Sequence, residues 1–283
     1  MTKNKKLFFL LLMVPALCVA QIETDSSRAR LFNANPRYRS NVVGVGGAYL
    51  KNTYMSPLTH SGVAVDYGFN QTRYRKKGVS DQFFDLTADV SNILNFQMKY
   101  DNFRHLLVYS RENLFFYAGA GVSSVLSVAF NTNSAGYNAL AVTANGNLLP
   151  SVMLKYRLRL FSRNFDLSQQ ISTPLVGYGI YPRYSWLLDY QPFSDSSDAR
   201  TALFFTSLHN RWGLNSRTYI DWRFKEKEER SGKKFTLKKR RSEVEKNSFL
   251  RFGYWYEGSR VNFDGHSYQL SRGVFFAGII TKF

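Results

Sequence analysis

Residues 152–160 read Val-Met-Leu-Lys-Tyr-Arg-Leu-Arg-Leu. Val152, Leu154, Tyr156, Leu158 and Leu160 fall on one parity, and Met153, Lys155, Arg157 and Arg159 on the other. A spacing of two puts these sets on opposite faces of an extended strand, whereas helical spacing would mix them. The same alternation recurs at Val63 to Asn70, Phe84 to Val90 and Ile220 to Phe224. The chain is therefore expected to be a run of strands with one apolar face and one polar or charged face.

Alternation alone fits either a soluble sandwich or a membrane barrel, because both have one apolar face per strand. The ends of the chain favour the membrane. Lys3, Lys5 and Lys6 precede an apolar run from Leu7 to Leu17, and Cys18-Val19-Ala20 offers small residues for cleavage before Gln21. Residues 1–20 thus read as a secretory signal, too short to cross ~30 Å of hydrocarbon as a helix. Cys18 follows Leu17, where a lipoprotein signal carries a small residue. Without residues 1–20 the chain has no cysteine, so an exported fold must be held by its hydrogen-bonded sheet rather than by disulfides. No later segment supplies the ~20 apolar residues of a membrane helix.

At the other end Phe275, Ala277, Ile279, Thr281 and Phe283 share a parity. This resembles the terminal strand of bacterial outer-membrane proteins, which implies recognition of Phe283 and its strand by the barrel-assembly machinery. The expected fold is an all-β, antiparallel, up-and-down transmembrane β-barrel of about twelve strands spanning residues 42–283. Residues 21–41 are polar and do not alternate, so they form a periplasmic lead-in or a short plug. The strands are placed at 42–51, 61–73, 82–91, 96–109, 114–130, 150–161, 165–174, 201–208, 213–225, 233–241, 247–257 and 272–283. Short periplasmic turns are expected at Ser110 to Asn113, Ser162 to Asn164 and His209 to Trp212, and long external connections at 131–148 and 176–199. The strand at 233–241 is supported by parity, since both termini should be periplasmic.

The formal charge is +18, and its densest run is Lys225 to Lys246, in which basic residues outnumber acidic ones. Export argues against nucleic acid as the partner. Outer-membrane lipid and the phosphates of lipopolysaccharide are the expected contacts, with Lys233 and Lys234 beside an external tip at Ser231-Gly232. Charges expected to face the lumen are Asp66, Asp85, Asp89, Asp101, Lys155, Arg157, Arg159, Asp166, Arg217, Asp221 and Arg223. They would pair and brace the wall, or line an anion-selective pore.

The histidines, four in all, are scattered, and no metal or cofactor site is expected. One catalytic set is conceivable at the external rim: His60, His266, Ser267 and Asp264, on loops that barrel closure makes neighbours. It would make the protein a lipid hydrolase of the phospholipase or lipid A deacylase kind. Adjacent His266 and Ser267 point to opposite faces of a strand, which weakens it. The segment Ala118-Gly119-Ala120-Gly121 lacks the Lys-Ser/Thr of a phosphate loop and lies within a strand, where small residues make room in a lumen.

The stretch from Ala48 to Gly62, AYLKNTYMSPLTHSG, together with the terminal strand, resembles a family of Bacteroidota outer-membrane barrels with no assigned activity. The resemblance implies the fold and the location, and no catalytic residue. The chain is accordingly read as a non-enzymatic envelope barrel, either a narrow pore or a structural and lipopolysaccharide-contacting protein, with the rim hydrolase as the alternative.

Overall fold

The structure is a computed structural model that describes residues 37–53, 55–56, 58–75, 77–132, 140–160, 163–181, 202–223, 248–263 and 266–282. Twelve strands run in chain order: β1 (Arg37–Asn52), β2 (Thr59–Arg75), β3 (Gly78–Val90), β4 (Ile93–Arg111), β5 (Leu114–Asn131), β6 (Leu140–Leu160), β7 (Arg163–Ser172), β8 (Val176–Tyr181), β9 (Ala202–Ser207), β10 (Arg211–Arg223), β11 (Ser248–Phe263) and β12 (His266–Lys282). Each of β1 to β6 pairs antiparallel with the next, β6 with β7, β7 with β10, and β10 through β11 to β12. β12 then returns to β1, from Tyr38 opposite Lys282 to Asn52 opposite Tyr268. Ten strands close the ring, so none of those ten is left as an edge of the sheet, while β9 pairs with β8 alone among the described residues.

The alternation is realised as inside and outside. On β1 Val42, Ala48 and Leu50 are buried, while Val43 and Val45 are 62% and 58% exposed. Val63, Val65 and Tyr67 on β2, Phe96 on β4 and Phe275 on β12 are likewise exposed, against buried Ala64, Asp66, Asn95, Gln97 and Val274 on the same strands. The wall is thus apolar outward and largely polar inward, the inverse of a water-soluble barrel.

β8 and β9 are in-line continuations of β7 and β10. β6 pairs with β7 up to Ser151–Ser172 and resumes with β8 at Leu148–Val176. Thr173-Pro174-Leu175 bridges the two as a bulge, with the Thr173 and Leu175 amides donating to the carbonyls of Pro150 and Leu148. β9 pairs with β8 and β10 with β7, so the chain keeps its direction through Leu208 to Asn210.

This corrects two expectations. The segment after 176 begins as strand, and His209 to Trp212 is no reversal. Pro174 and the polar cluster at 207–210 read as strand breakers, yet each break is local because the ladder resumes on either side. The proposed strand at 233–241 lies outside the described residues. Its parity is not needed, because Arg223 pairs with Phe249 directly. The connection 224–247 therefore leaves and rejoins the wall at the rim that carries Arg37 and Lys282, here called the terminal rim. An external tip at 231–232 does not follow. The strand ends that bound 76–77, 112–113 and 161–162 share that rim; those that bound 53–58, 91–92, 132–139, 182–201 and 264–265 lie at the far rim.

Candidate functional site: the charged lumen

Inward parity brings distant strands together at mid-height. Lys99 and Asp101 project from β4, Asp85 and Asp89 from β3, Arg217 from β10, Trp255 and Glu257 from β11, and Arg272 from β12. All are buried. Lys99 Nζ lies 2.8 Å from Glu257 Oε1 and 3.8 Å from Asp101 Oδ2. Arg217 donates to Asp85 at 2.6 Å and to Asp101 at 2.9 Å. Arg272 grips Asp89 with two nitrogens, Nε at 2.8 Å, and donates to Gln97 at 2.9 Å and Glu257 at 3.3 Å.

Neutral donors add to the carboxylates of Asp89 and Asp66, while Asp101 Oδ1 is buried with no hydrogen-bond partner among the described residues. Asn95 donates to Asp89 at 2.8 Å, and Thr87 to Asp66 at 2.7 Å. Trp255 is the hub, its ring 5.3 Å from Lys99 Nζ and 5.2 and 5.7 Å from the Arg217 and Arg272 guanidinium carbons. A charge taken out of water is tolerated only when such partners replace its hydration. Around the hub Phe83, Phe103, Leu149, Tyr219, Val274 and Phe276 pack as an apolar cluster. Among the described residues the middle of the lumen is occupied by packed, buried side chains.

Toward the terminal rim the interior loosens into a cavity of about 90 Å³ whose lining includes Tyr38, Tyr74, Phe115, Lys155 and Arg251. Arg251 holds Asp221 through Nε at 2.7 Å and a terminal nitrogen at 2.9 Å, and lies 4.4 Å from the Tyr219 ring. Lys155 donates to the Tyr74 hydroxyl at 2.7 Å. Arg157 and Asp166 approach to 3.7 Å.

At the far rim the connection after β1 turns inward. Met55 is fully buried against Leu50, Ile93, Ala129, Ala141 and Leu270. Its carbonyl accepts a 3.3 Å hydrogen bond from the Asn131 amide. Thr53 ties the loop to β12, its hydroxyl accepting from the Ser267 amide at 2.8 Å. Within the segment AYLKNTYMSPLTHSG that carried the family resemblance, Met55 and Ser56 are thus buried at the far end of the lumen.

Among the charges read as lumenal, Asp66, Asp85, Asp89, Asp101 and Arg217 lie in the central network, and Lys155, Arg157, Asp166 and Asp221 in the terminal-side cavity. Arg159 and Arg223 belong to β6 and β10, with side chains outside the described residues, as is that of His266 at the start of β12. Lys233, Lys234, Asp264 and Phe283 lie outside the described residues altogether. His60 and Ser267 flank β1, but Leu50 is level with both His60 and Leu270, so Ser267 sits three residues farther along. His60 Nε2 and Ser267 Oγ are buried and make no hydrogen bond among the described residues, to each other or to a third group.

Lys99, Arg251, Trp255, Glu257 and Arg272 were not singled out from the sequence. Glu257 and Arg272 stood at the supposed ends of their strands, and only the long hairpin of β11 and β12 draws them inside. His105 was missed as well. Its Nε2 lies 2.9 Å from Ser151 Oγ, reached across Gly119, where a Cβ would come within 2.0 Å of the Arg104 carbonyl oxygen. Asp81 is 3.9 Å from the other ring nitrogen, beyond hydrogen-bond reach, and its Oδ1 accepts from Thr72 at 2.6 Å. These residues have the composition of a hydrolase triad. His105 is 1% and Ser151 4% exposed, the serine hydroxyl also donates to the Ile171 carbonyl at 3.2 Å, and the pair ties β4 to β6 across the inner face of β5. Inward parity with Asp101 and Phe103 was the signal that could have found His105.

Among the described residues no group of three metal-binding side chains converges. A family model described as Protein of unknown function (DUF3316) matches residues 6–246. No curated protein matches the chain. The outer-membrane protease OmpT from Escherichia coli shares 9% identity over 92% of this chain and 99% of its own, with a TM-score of 0.48. The translocator domain of the autotransporter NalP from Neisseria meningitidis shares 6% over 99% and 95%, with a TM-score of 0.44.

Proposed function

This chain belongs to the family described as Protein of unknown function (DUF3316), and from that premise we propose that it is an outer-membrane barrel with a sealed lumen, working through its surfaces rather than by conduction or catalysis. The carrying observation is the hydrogen-bonded core around Trp255, in which Lys99, Arg217 and Arg272 are spent on Asp85, Asp89, Asp101 and Glu257. A pore that selects ions through charged side chains needs those charges open to water. Here the mid-lumen charges pair with one another, and Met55 is buried among side chains at the far end of the lumen.

The apolar outer wall supports a lipid environment. Its outward positions on β12, Phe275, Ala277, Ile279 and Thr281, support docking to the barrel-assembly machinery, with Phe283 next on that parity. Lipopolysaccharide contact through Lys233 and Lys234 is not part of this proposal, because their connection departs from the terminal rim. Nor is the rim hydrolase, because His60 and Ser267 do not meet.

Two measurements test the proposal. Membrane-extracted protein should show heat-modifiable gel mobility, as a closed barrel does. Reconstituted into planar bilayers, the native protein should give no unitary conductance steps. Stable open channels would refute the sealed lumen.

A further inference from the structure

On the outer wall of β1 to β4 the pairing registers stack a sharp boundary. Phe69, Phe84 and Tyr100 are level across β2, β3 and β4. One outward step toward the terminal rim come Gln71, Gln82 and Asn102. One step further, Arg37 of β1 faces Arg73, which faces Ser80, which faces Arg104.

The pattern is thus aromatic, then amide, then arginine. Exposed Leu106 on β4 shows that strand tilt carries the apolar belt obliquely past this patch, so the arginines sit at the belt's edge rather than clear of it. Arg37, Arg73, Arg75 and Arg104 line one recess of about 170 Å³ together with the three amides and Ser80, and no carboxylate. Two arginines directly opposite one another repel. Arg73 Nε is buried and has no acceptor among the described residues. Four guanidiniums with no acid among the described residues lining the recess, beneath aromatic and apolar side chains, ask for an anion that is itself joined to an acyl chain.

We propose that this recess binds the phosphate headgroup of an anionic membrane lipid, its acyl chains lying against the aromatic rung and the belt above. The proposal rests on the membrane reading and adds a specific ligand class to it. Guanidinium is suited to this because its planar fork meets two phosphate oxygens at once. On the usual orientation, with both termini periplasmic, the lipid belongs to the periplasmic leaflet.

The test uses the full-length barrel in detergent micelles doped with equal phosphatidylglycerol and phosphatidylcholine, with bound lipid read by native mass spectrometry. The native protein should retain the anionic lipid about tenfold over the zwitterionic one, and Arg73→Gln/Arg104→Gln should bring the ratio near unity. Heat-modifiable mobility of the double variant shows that it still folds, and Arg73→Lys/Arg104→Lys should recover part of the preference. Equal retention of the two lipids by native protein, or an unchanged ratio in the glutamine variant, would overturn the site. So would displacement of the lipid by an equal concentration of inorganic phosphate, which would assign the recess to a free anion. Native protein that is not heat-modifiable would instead defeat the membrane reading itself.

Discussion

Arg272→Met is expected to cost the folded barrel about 3–5 kcal/mol, read as a lowered urea midpoint in detergent and loss of the compact gel band at lower temperature. The size follows from what the substitution abandons. Arg272 is the largest fully buried side chain among the described residues, and it neutralises Asp89 while sharing Glu257 with Lys99. Methionine fills much of the space but leaves Asp89 with the Asn95 amide as its remaining side-chain donor. Because the penalty comes from a stranded charge rather than from lost attraction, adding Asp89→Leu to Arg272→Met should recover about half of it or more. An unchanged midpoint in the single variant would mean the network is already solvated.

Trp255→Ala should be comparably damaging, about 3–5 kcal/mol for a buried indole, with a functional consequence that Arg272→Met lacks. The ring is 3% exposed and fills the axis of the barrel at the level where three cations gather. Without it, Lys99, Arg217 and Arg272 lose a shared π-face and water gains a path between them. Planar bilayers should then show conductance steps that the native protein does not give, and Trp255→Phe should stay silent. A stable, silent alanine variant would show that the seal lies elsewhere, around Met55.

The architecture was legible because strand parity is a local property: Val63 to Asn70 or Val152 to Leu160 declares its two faces without knowing its neighbours. Closure of β1 on β12 followed from the terminal strand. Which charges meet was not legible, since Lys99 and Glu257 lie 158 positions apart and pair only through the registers of all the strands between them. The breaks at Thr173 to Leu175 and Leu208 to Asn210 misled for a related reason. A proline and a Ser-Leu-His-Asn cluster end a strand by local rule, and only the partner strand on either side overrides it. The place of Met55 was hidden too, as a loop methionine carries no sign that it will be buried.

Those two breaks lie side by side in the wall, and between Ser172–Asn215 and Val176–Ser207 three residues on one side oppose seven on the other. Elsewhere the barrel is joined by amides, which almost any residue supplies, so the wall tolerates sequence drift. At this seam the join is specific: Thr173 Oγ1 donates to the Gly213 carbonyl at 2.7 Å, Asn210 accepts from the Ser207 amide at 2.9 Å, and Arg211 reaches over to Asn147 at 2.6 Å. Among the described residues of the wall, this is the place where an interrupted ladder is bridged by a hydroxyl, a carboxamide and a guanidinium, so neutral variation should be narrow here.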